Sequence, residues 1–190
     1  MSLPPQEIPL GAMRFNSDSQ KLEYWNGSAW FQIHTFSPNL DGGERGIIGS
    51  GASIPASSGA TNIDFITIPT QGNATDFGDL TYGNAYRGGL ASNTRGIFIN
   101  GQNDQTTDFI TISSTGNSDS FGEITNDNMG GATFSNQVKG FRGGGADAGS
   151  MTEQIIAMTI STTSSFFDFG DLVENSTYMN GCGNPIRGLM

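Results

Sequence analysis

The chain has 190 residues, of which 18 are acidic and 8 basic, giving a formal net charge of −10. Eight cations spread along the whole length make no basic face, which argues against nucleic acid and against an anionic membrane surface as partners. Its 28 glycines, abundant Ser, Thr and Asn and only 35% hydrophobic residues favour short strands and tight turns over helices, because these residues form helices poorly and Gly and Asn tolerate positive φ.

The start, MSLPPQEIPLGAM, has neither the basic n-region nor the apolar h-region of a signal peptide, and no apolar run reaches the length of a membrane span. The chain is therefore expected to be made in a cytosol, and to stay there or leave by a route other than secretion. The glycosylation patterns at Asn26, Asn73 and Asn175 then read as chance matches. LPPQEIPLG cannot be helical, since each Pro restricts itself and its predecessor, and it reads as an extended arm. From Gly11 to Ile33, apolar and polar residues alternate through MRFN, KLEYW and AWFQI. NSDSQ and NGS separate these runs, and Asn26-Gly27 is a strong hairpin signal. The stretch predicts a three-stranded meander carrying Trp25 and Trp30. FSPNLDGGE reads as a linker, so residues 1–40 form arm and module and residues 41–190 a second region.

That second region repeats. NATDFGDL, NSDSFGEI and SFFDFGDL align on Phe77, Phe121 and Phe169, which are 44 and 48 residues apart. Nine residues before each Phe lies the end of a strand-like run: Ile68, Ile112 and Ile160. A basic residue and Gly recur at Arg45-Gly46, Arg95-Gly96, Lys139-Gly140 and Arg187-Gly188, each opening a short apolar strand. Between the Phe-Gly-acid segment and the next basic residue runs a Gly-rich strand: YRGGLASN, NMGGATFSN, YMNGCGNP. Three or four short strands in about 44 to 50 residues predict propeller blades, stacked because no unit buries both faces alone. The repeats are expected at about 45–94, 95–138 and 139–190. The fold class expected is all-β: a small meander, then three kelch-like, blade-like repeats.

The repeated Phe is expected to fill the space between blades, with Gly letting the chain turn closely beneath it. The acid, Asp79, Glu123 or Asp171, should face solvent or accept backbone N–H bonds. Asp76 and Asp79 could supply oxygens to calcium, but repeat two offers Ser120 and Glu123 instead and no run matches a known calcium loop. No metal and no cofactor are expected. Cys182 and His34 are single and read as structural. The RGG runs at Arg87 and Arg142 read as turn and strand chemistry in so acidic a chain. Exposed Trp25, Tyr82, Tyr86 and Tyr178 could stack on sugars, although core packing is the commoner fate of such rings. Glycoside hydrolysis needs two facing carboxylates, and no context singles out a pair. No catalytic residue and no enzymatic activity are expected.

The residues Gly11, Arg14, Phe15, Asn16, Leu22, Glu23, Tyr24, Asn26, Gly27, Ser28 and Trp30 resemble a short β-module of tail-fibre and other virion proteins of tailed bacteriophages. DFITIPTQGNATDFGDLT and TRGIFINGQ are similar to the kelch-like repeats of marine phage and cyanophage structural proteins. The third repeat departs from them, with Ser164-Ser165 in place of the Gly-Asn turn and Met158 in the strand. The resemblance implies a virion component: a tail fibre, tail appendage or capsid decoration, assembled in the host cytoplasm with other virion proteins. A host-surface glycan is a candidate contact, and a lectin-like, glycan-binding β-propeller is the alternative function. Three repeats and a leftover strand, RGLM, leave two open edges that invite another chain. A homo-oligomer is expected: two chains closing a ring of six blades, or a trimer, favoured because the N-terminal module is fibre-like.

Overall fold

The computed structural model describes residues 8–17, 21–33, 44–49, 51, 59–99, 101–102, 104–124, 129–147 and 149–190. The proline-rich arm before residue 8, His34 and most of the linker lie outside these residues. The chain divides into two compact units, Met1–Ser37 and Pro38–Met190. Eighteen strands and no helix are present among the described residues, and the protein is all-β.

In the first unit, β1 (Met13–Asn16), β2 (Lys21–Trp25) and β3 (Trp30–Gln32) form an antiparallel meander in that order. The Asn26 side chain shapes the β2–β3 turn, its Oδ1 accepting from the amides of Ser28 and Ala29 at 2.9 and 2.8 Å. Gly27 adopts φ +100°, which a side chain would resist. Trp25 and Trp30 then pair across the strands with ring centroids 5.5 Å apart. Arg14 lies 4.2 Å over the Trp30 ring and donates to buried Glu23 at 2.9 Å, while the Asn16 amide donates to the other carboxylate oxygen at 3.0 Å. The Asn16 hydrogen bond, and then Arg14, hold the Glu23 carboxyl below the usual range against the opposing effect of burial.

The second unit is a series of antiparallel sheets. The first is β4 (Arg45–Gly49), β5 (Asn62–Thr67) and β6 (Thr75–Asp79). The second is β7 (Gly88–Ala91), β8 (Arg95–Ile99), β9 (Thr106–Thr111) and β10 (Asp119–Glu123). The third begins with β11 (Ala132–Ser135) and β12 (Lys139–Gly143). After an inserted hairpin, β13 (Ala146–Asp147) and β14 (Ser150–Met151), it continues with β15 (Gln154–Thr159) and β16 (Phe167–Asp171). That hairpin lies in a connection four residues longer than its β8–β9 counterpart, the amount by which the second repeat spacing exceeds the first. A last hairpin joins β17 (Cys182–Gly183) and β18 (Gly188–Leu189).

The sheets are out of phase with the sequence repeats by one strand. Each complete sheet starts on the Gly-rich strand, not on the basic residue that follows it. The span 95–138 thus straddles two sheets. Among the described residues the first sheet has no Gly-rich first strand, and the last hairpin supplies only a first and a second.

The repeated Phe-Gly-acid segment is a β-bulge, which corrects the reading of its Gly as a turn. Gly78 faces Ile63 while Asp76 faces Asp64, so Phe77 has no partner in the ladder. Phe121 and Phe169 are skipped in the same way. The following glycines sit at φ +147°, +134° and +142°, where only Gly is comfortable. The bulge aims Phe77 and Phe121 into the space between sheets, as expected, and both are buried. Phe77 joins Ile63 and Leu80 of the first sheet against Phe98 and Ile110 of the second. Phe121 joins Ile97 and Ile124 of the second against Met158 and Ile160 of the third. Each buried Phe is worth about 1.5–3 kcal/mol. Asp79, Glu123 and Asp171 face solvent, and Asp79 accepts from the Thr61 hydroxyl at 3.1 Å.

Backbone hydrogen bonds lock one sheet to the next. The Gly116 amide donates to Phe77 O and the Ser118 amide to Asp79 O, at 2.7 and 2.8 Å. One sheet later, the Ser164 amide donates to Phe121 O at 2.7 Å. The guanidinium of Arg45 donates to Ile112 O at 2.7 Å, and that of Arg95 to Ile160 O at 3.2 Å. In the first and second sheets the basic residue that opens the strand therefore reaches the end of the Thr-Ile strand in the next sheet.

Candidate functional site

The two RGG arginines are buried, and both have structural surroundings that composition does not foretell. Arg87, just before β7, donates to Asp104 at 2.9 Å and Asp108 at 3.2 Å, and also to Thr106 Oγ1 and Tyr82 O, both at 3.1 Å. Asp108 also accepts from the Thr81 hydroxyl. Burial alone would raise the Asp104 carboxyl, but the Thr106 hydroxyl and amide, with Asn84 and Arg87, hold it below its ordinary value. This cluster ties the crossing from β6 to β7 onto β9. Asp104 and Asp108 are consumed by it and present no open carboxylate pair to a glycosidic bond.

In the third sheet the same place is built differently. Gly131 stands where Arg87 stands, and the Arg142 guanidinium from β12 enters the room it leaves. A Cβ on Gly131 would lie 3.0 Å from Arg142 Nε. The acids are gone as well, since by register Thr152 and Ile156 replace Asp104 and Asp108. Arg142 is buried, Nη2 makes no hydrogen bond, and no salt bridge reaches it among the described residues. Desolvation lowers its pKa to about 10. A buried cation without an acid is costly and attracts an anion.

Two exposed tyrosines stand near Gly130, the residue before Gly131. Tyr86 and Tyr178 occupy equivalent places just before β7 and β17, and both have left-handed backbone, at φ 61° and 55°. Gly130 takes the same place before β11, at φ 69°. With no side chain there, the Tyr178 ring comes within 3.1 Å of where a Gly130 Cβ would be. The rings of Tyr86 and Tyr178 meet edge to face with centroids 6.0 Å apart. Non-Gly residues with such backbone carry strain that functional sites often store. An exposed aromatic pair, next to a glycine adjoining the one against which Arg142 lies, is the arrangement among the described residues best suited to hold a ligand.

Of the other candidates, Tyr82 is exposed and only its carbonyl joins the cluster. Trp25 is half-buried against Trp30. Asp76 and Asp79 are exposed, and no group of three or more His, Cys, Asp or Glu able to hold a metal occurs among the described residues. Cys182 is a free, exposed thiol on β17. No helix among the described residues is long and apolar enough to cross a membrane.

Among solved structures the chain is similar to that of YjhT, with 12% identity and a TM-score of 0.59 over 91% of this chain and 70% of that one. At this identity the likeness speaks to the fold alone. No family model and no curated protein matches the chain.

Proposed function

We propose that the chain is a non-enzymatic virion structural protein, a tail fibre, tail appendage or capsid decoration, assembled in the host cytoplasm through its N-terminal module. The observation that carries this reading is the division of the chain. The residues that resemble the phage module build a self-contained meander, with Arg14, Asn16 and Glu23 bonded to one another and Trp30 under Arg14. The repeats form a separate unit whose recurrent residues are spent on sheet-to-sheet packing. Its sheets are read as kelch-like propeller blades, and the likeness to YjhT supports a related β-fold. Antibody labelling of intact particles tests the proposal. Label on the particle surface supports it, and purified particles free of the protein refute it.

A second reading is favoured by Tyr86, Tyr178 and Arg142: a lectin-like module in which the rings stack on sugar faces and the guanidinium takes an acidic group. Aromatic faces suit such stacking, and an ionised acceptor makes the strongest hydrogen bonds to arginine. A glycan array comparing neutral with acidic oligosaccharides tests it. Selective binding of acidic glycans, lost in Tyr178→Ala, supports this reading, and an array without signal refutes it.

A further inference from the structure

We infer that a second copy of the chain docks its first sheet on the open face of the third sheet, repeating between copies the contact made twice within each chain. The inference concerns the repeat unit and does not depend on the virion reading.

The face that each sheet offers to its successor carries the bulged Phe. Phe77 and Phe121 are 3% and 0% exposed, whereas Phe169 is 56% exposed. The glycine after each Phe tells the same story. A Cβ on Gly78 would run into Gly116 O, and one on Gly122 would lie 2.7 Å from Ser164 Oγ, but nothing stands within 4 Å of that place at Gly170. The third sheet has the surface that receives a neighbour, with the receiving place at Gly170 open.

The opposite face, which docks on a predecessor, is open on the first sheet. Ile110 and Ile112 of the second sheet are 2% and 6% exposed, and Met158 and Ile160 of the third are 0% and 1%. Their counterparts in the first sheet, Ile66 and Ile68, are 37% and 67% exposed. Ile48, the counterpart of buried Phe98, is also exposed. The docking loop is present too: Gly72-Asn73 stands 44 residues before Gly116-Asn117, and nothing lies within 4 Å of a Cβ on Gly72. Each chain thus exposes one copy of each half of an interface that it elsewhere buries.

The internal contacts give the register. The second copy's Gly72 amide reaches Phe169 O, as Gly116 reaches Phe77 O. Its Asn73 amide oxygen accepts from the Asp171 amide, as Asn117 accepts from Asp79 at 3.1 Å. Lys139 reaches its Ile68 carbonyl, as Arg45 reaches Ile112.

One strand must give way. The hairpin β17–β18 holds the first and second positions of a fourth sheet: Met190 Sδ packs on Gly143 as the Phe98 ring packs on Gly49. Arg187-Gly188-Leu189-Met190 matches Arg45-Gly46-Ile47-Ile48, so the incoming β4 takes the place of β18 beside β17. The displaced pairing spans two residues on each strand, all exposed. The cleft of about 330 Å³ beside β7, lined by Arg45, Ile47 and Leu90, is where that β17 strand completes the first sheet. A contact of two different faces closes into a ring or extends as a chain, according to its rotation.

Sedimentation velocity on the full chain at about 50 µM, a concentration at which micromolar contacts populate, tests this. Wild type should exceed its 20.0 kDa monomer mass. Ile68→Asp and Phe169→Asp, both at exposed positions, should each be monomeric, with circular dichroism unchanged. Mixed together, the two variants should form a 1:1 pair and nothing larger, because each retains the face that the other has lost. Removing residues 187–190 should tighten wild-type association several-fold. A monomeric wild type, variants that still associate, a mixture that stays monomeric, or looser association after the deletion would each overturn the inference.

Discussion

Thr133 donates its hydroxyl to the carbonyl of Gly89, 44 residues earlier, at 2.9 Å. Ser135 does the same to Ala91 at 2.7 Å, and Gln137 accepts from the Asn93 amide at 2.8 Å. The first strands of successive sheets are therefore held together residue by residue at the repeat spacing. The repeat is a statement about contact between sheets, and its consequences separate interior copies from the open one.

Phe121→Ala should cost about 3–5 kcal/mol, the usual loss for emptying a buried aromatic site. Phe169→Ala removes an exposed ring with an edge contact to Phe141, with centroids 5.0 Å apart, and should cost the monomer at most about 1.5 kcal/mol. Denaturant unfolding of the monomer measures both. Equal losses would show that the two bulges are not distinguished by what covers them.

Gly78→Ala and Gly170→Ala carry similar backbone strain, since φ is +147° and +142°. Only the first also drives a methyl into the Gly116 carbonyl. Both should destabilise, by about 1–3 kcal/mol for the strained backbone, with Gly78→Ala clearly the worse. Thermal unfolding of the two variants side by side gives the answer.

Arg87→Met leaves Asp108, which is fully buried, without its cation. Removing one member of such a cluster typically costs about 3–5 kcal/mol. Pairing the change with Asp108→Leu should recover part of the loss, because the orphaned charge goes with it. A double variant less stable than Arg87→Met would contradict the assignment.

Glu23 has a folded-state pKa below its unfolded value. It therefore adds stability to the N-terminal meander above the unfolded pKa, and this is lost as pH falls through the folded one. Asp104 has the same sign within the second sheet. Fluorescence of Trp25 and Trp30, the chain's two tryptophans, should report the meander loosening under acid at a lower denaturant concentration than at neutral pH. In Glu23→Gln this pH dependence should shrink.

Much of this fold is legible in the sequence. The alternation of MRFN, KLEYW and AWFQI gives the meander, because a strand's side chains alternate faces. The recurrence of Phe-Gly-acid gives the period, because each copy meets the same steric demand. The phase of the sheets is hidden, since Gly88–Ala91 and Cys182–Gly183 are too short and too glycine-rich to show alternation. The bulge is hidden too, because Gly after Phe fits a turn as well as a slipped ladder. Of the candidate ligand site, Tyr86 and Tyr178 could be named as exposed rings, but not their contact, which passes over Gly130, just before β11. Nothing local marks Asp108 as buried when Asp64, in the same DFITI run, is half-exposed. Nor does any neighbour of Phe169 announce that it is uncovered, because that depends on which sheet follows.

The most direct test is amide hydrogen exchange at Gly72, Gly116 and Ser164, three loop amides at equivalent places in the three sheets. Gly116 and Ser164 should be strongly protected at every concentration. Gly72 should exchange rapidly in dilute solution and become protected once copies associate. Rapid exchange at Gly116, or a Gly72 amide indifferent to concentration while the protein assembles, would contradict this docking.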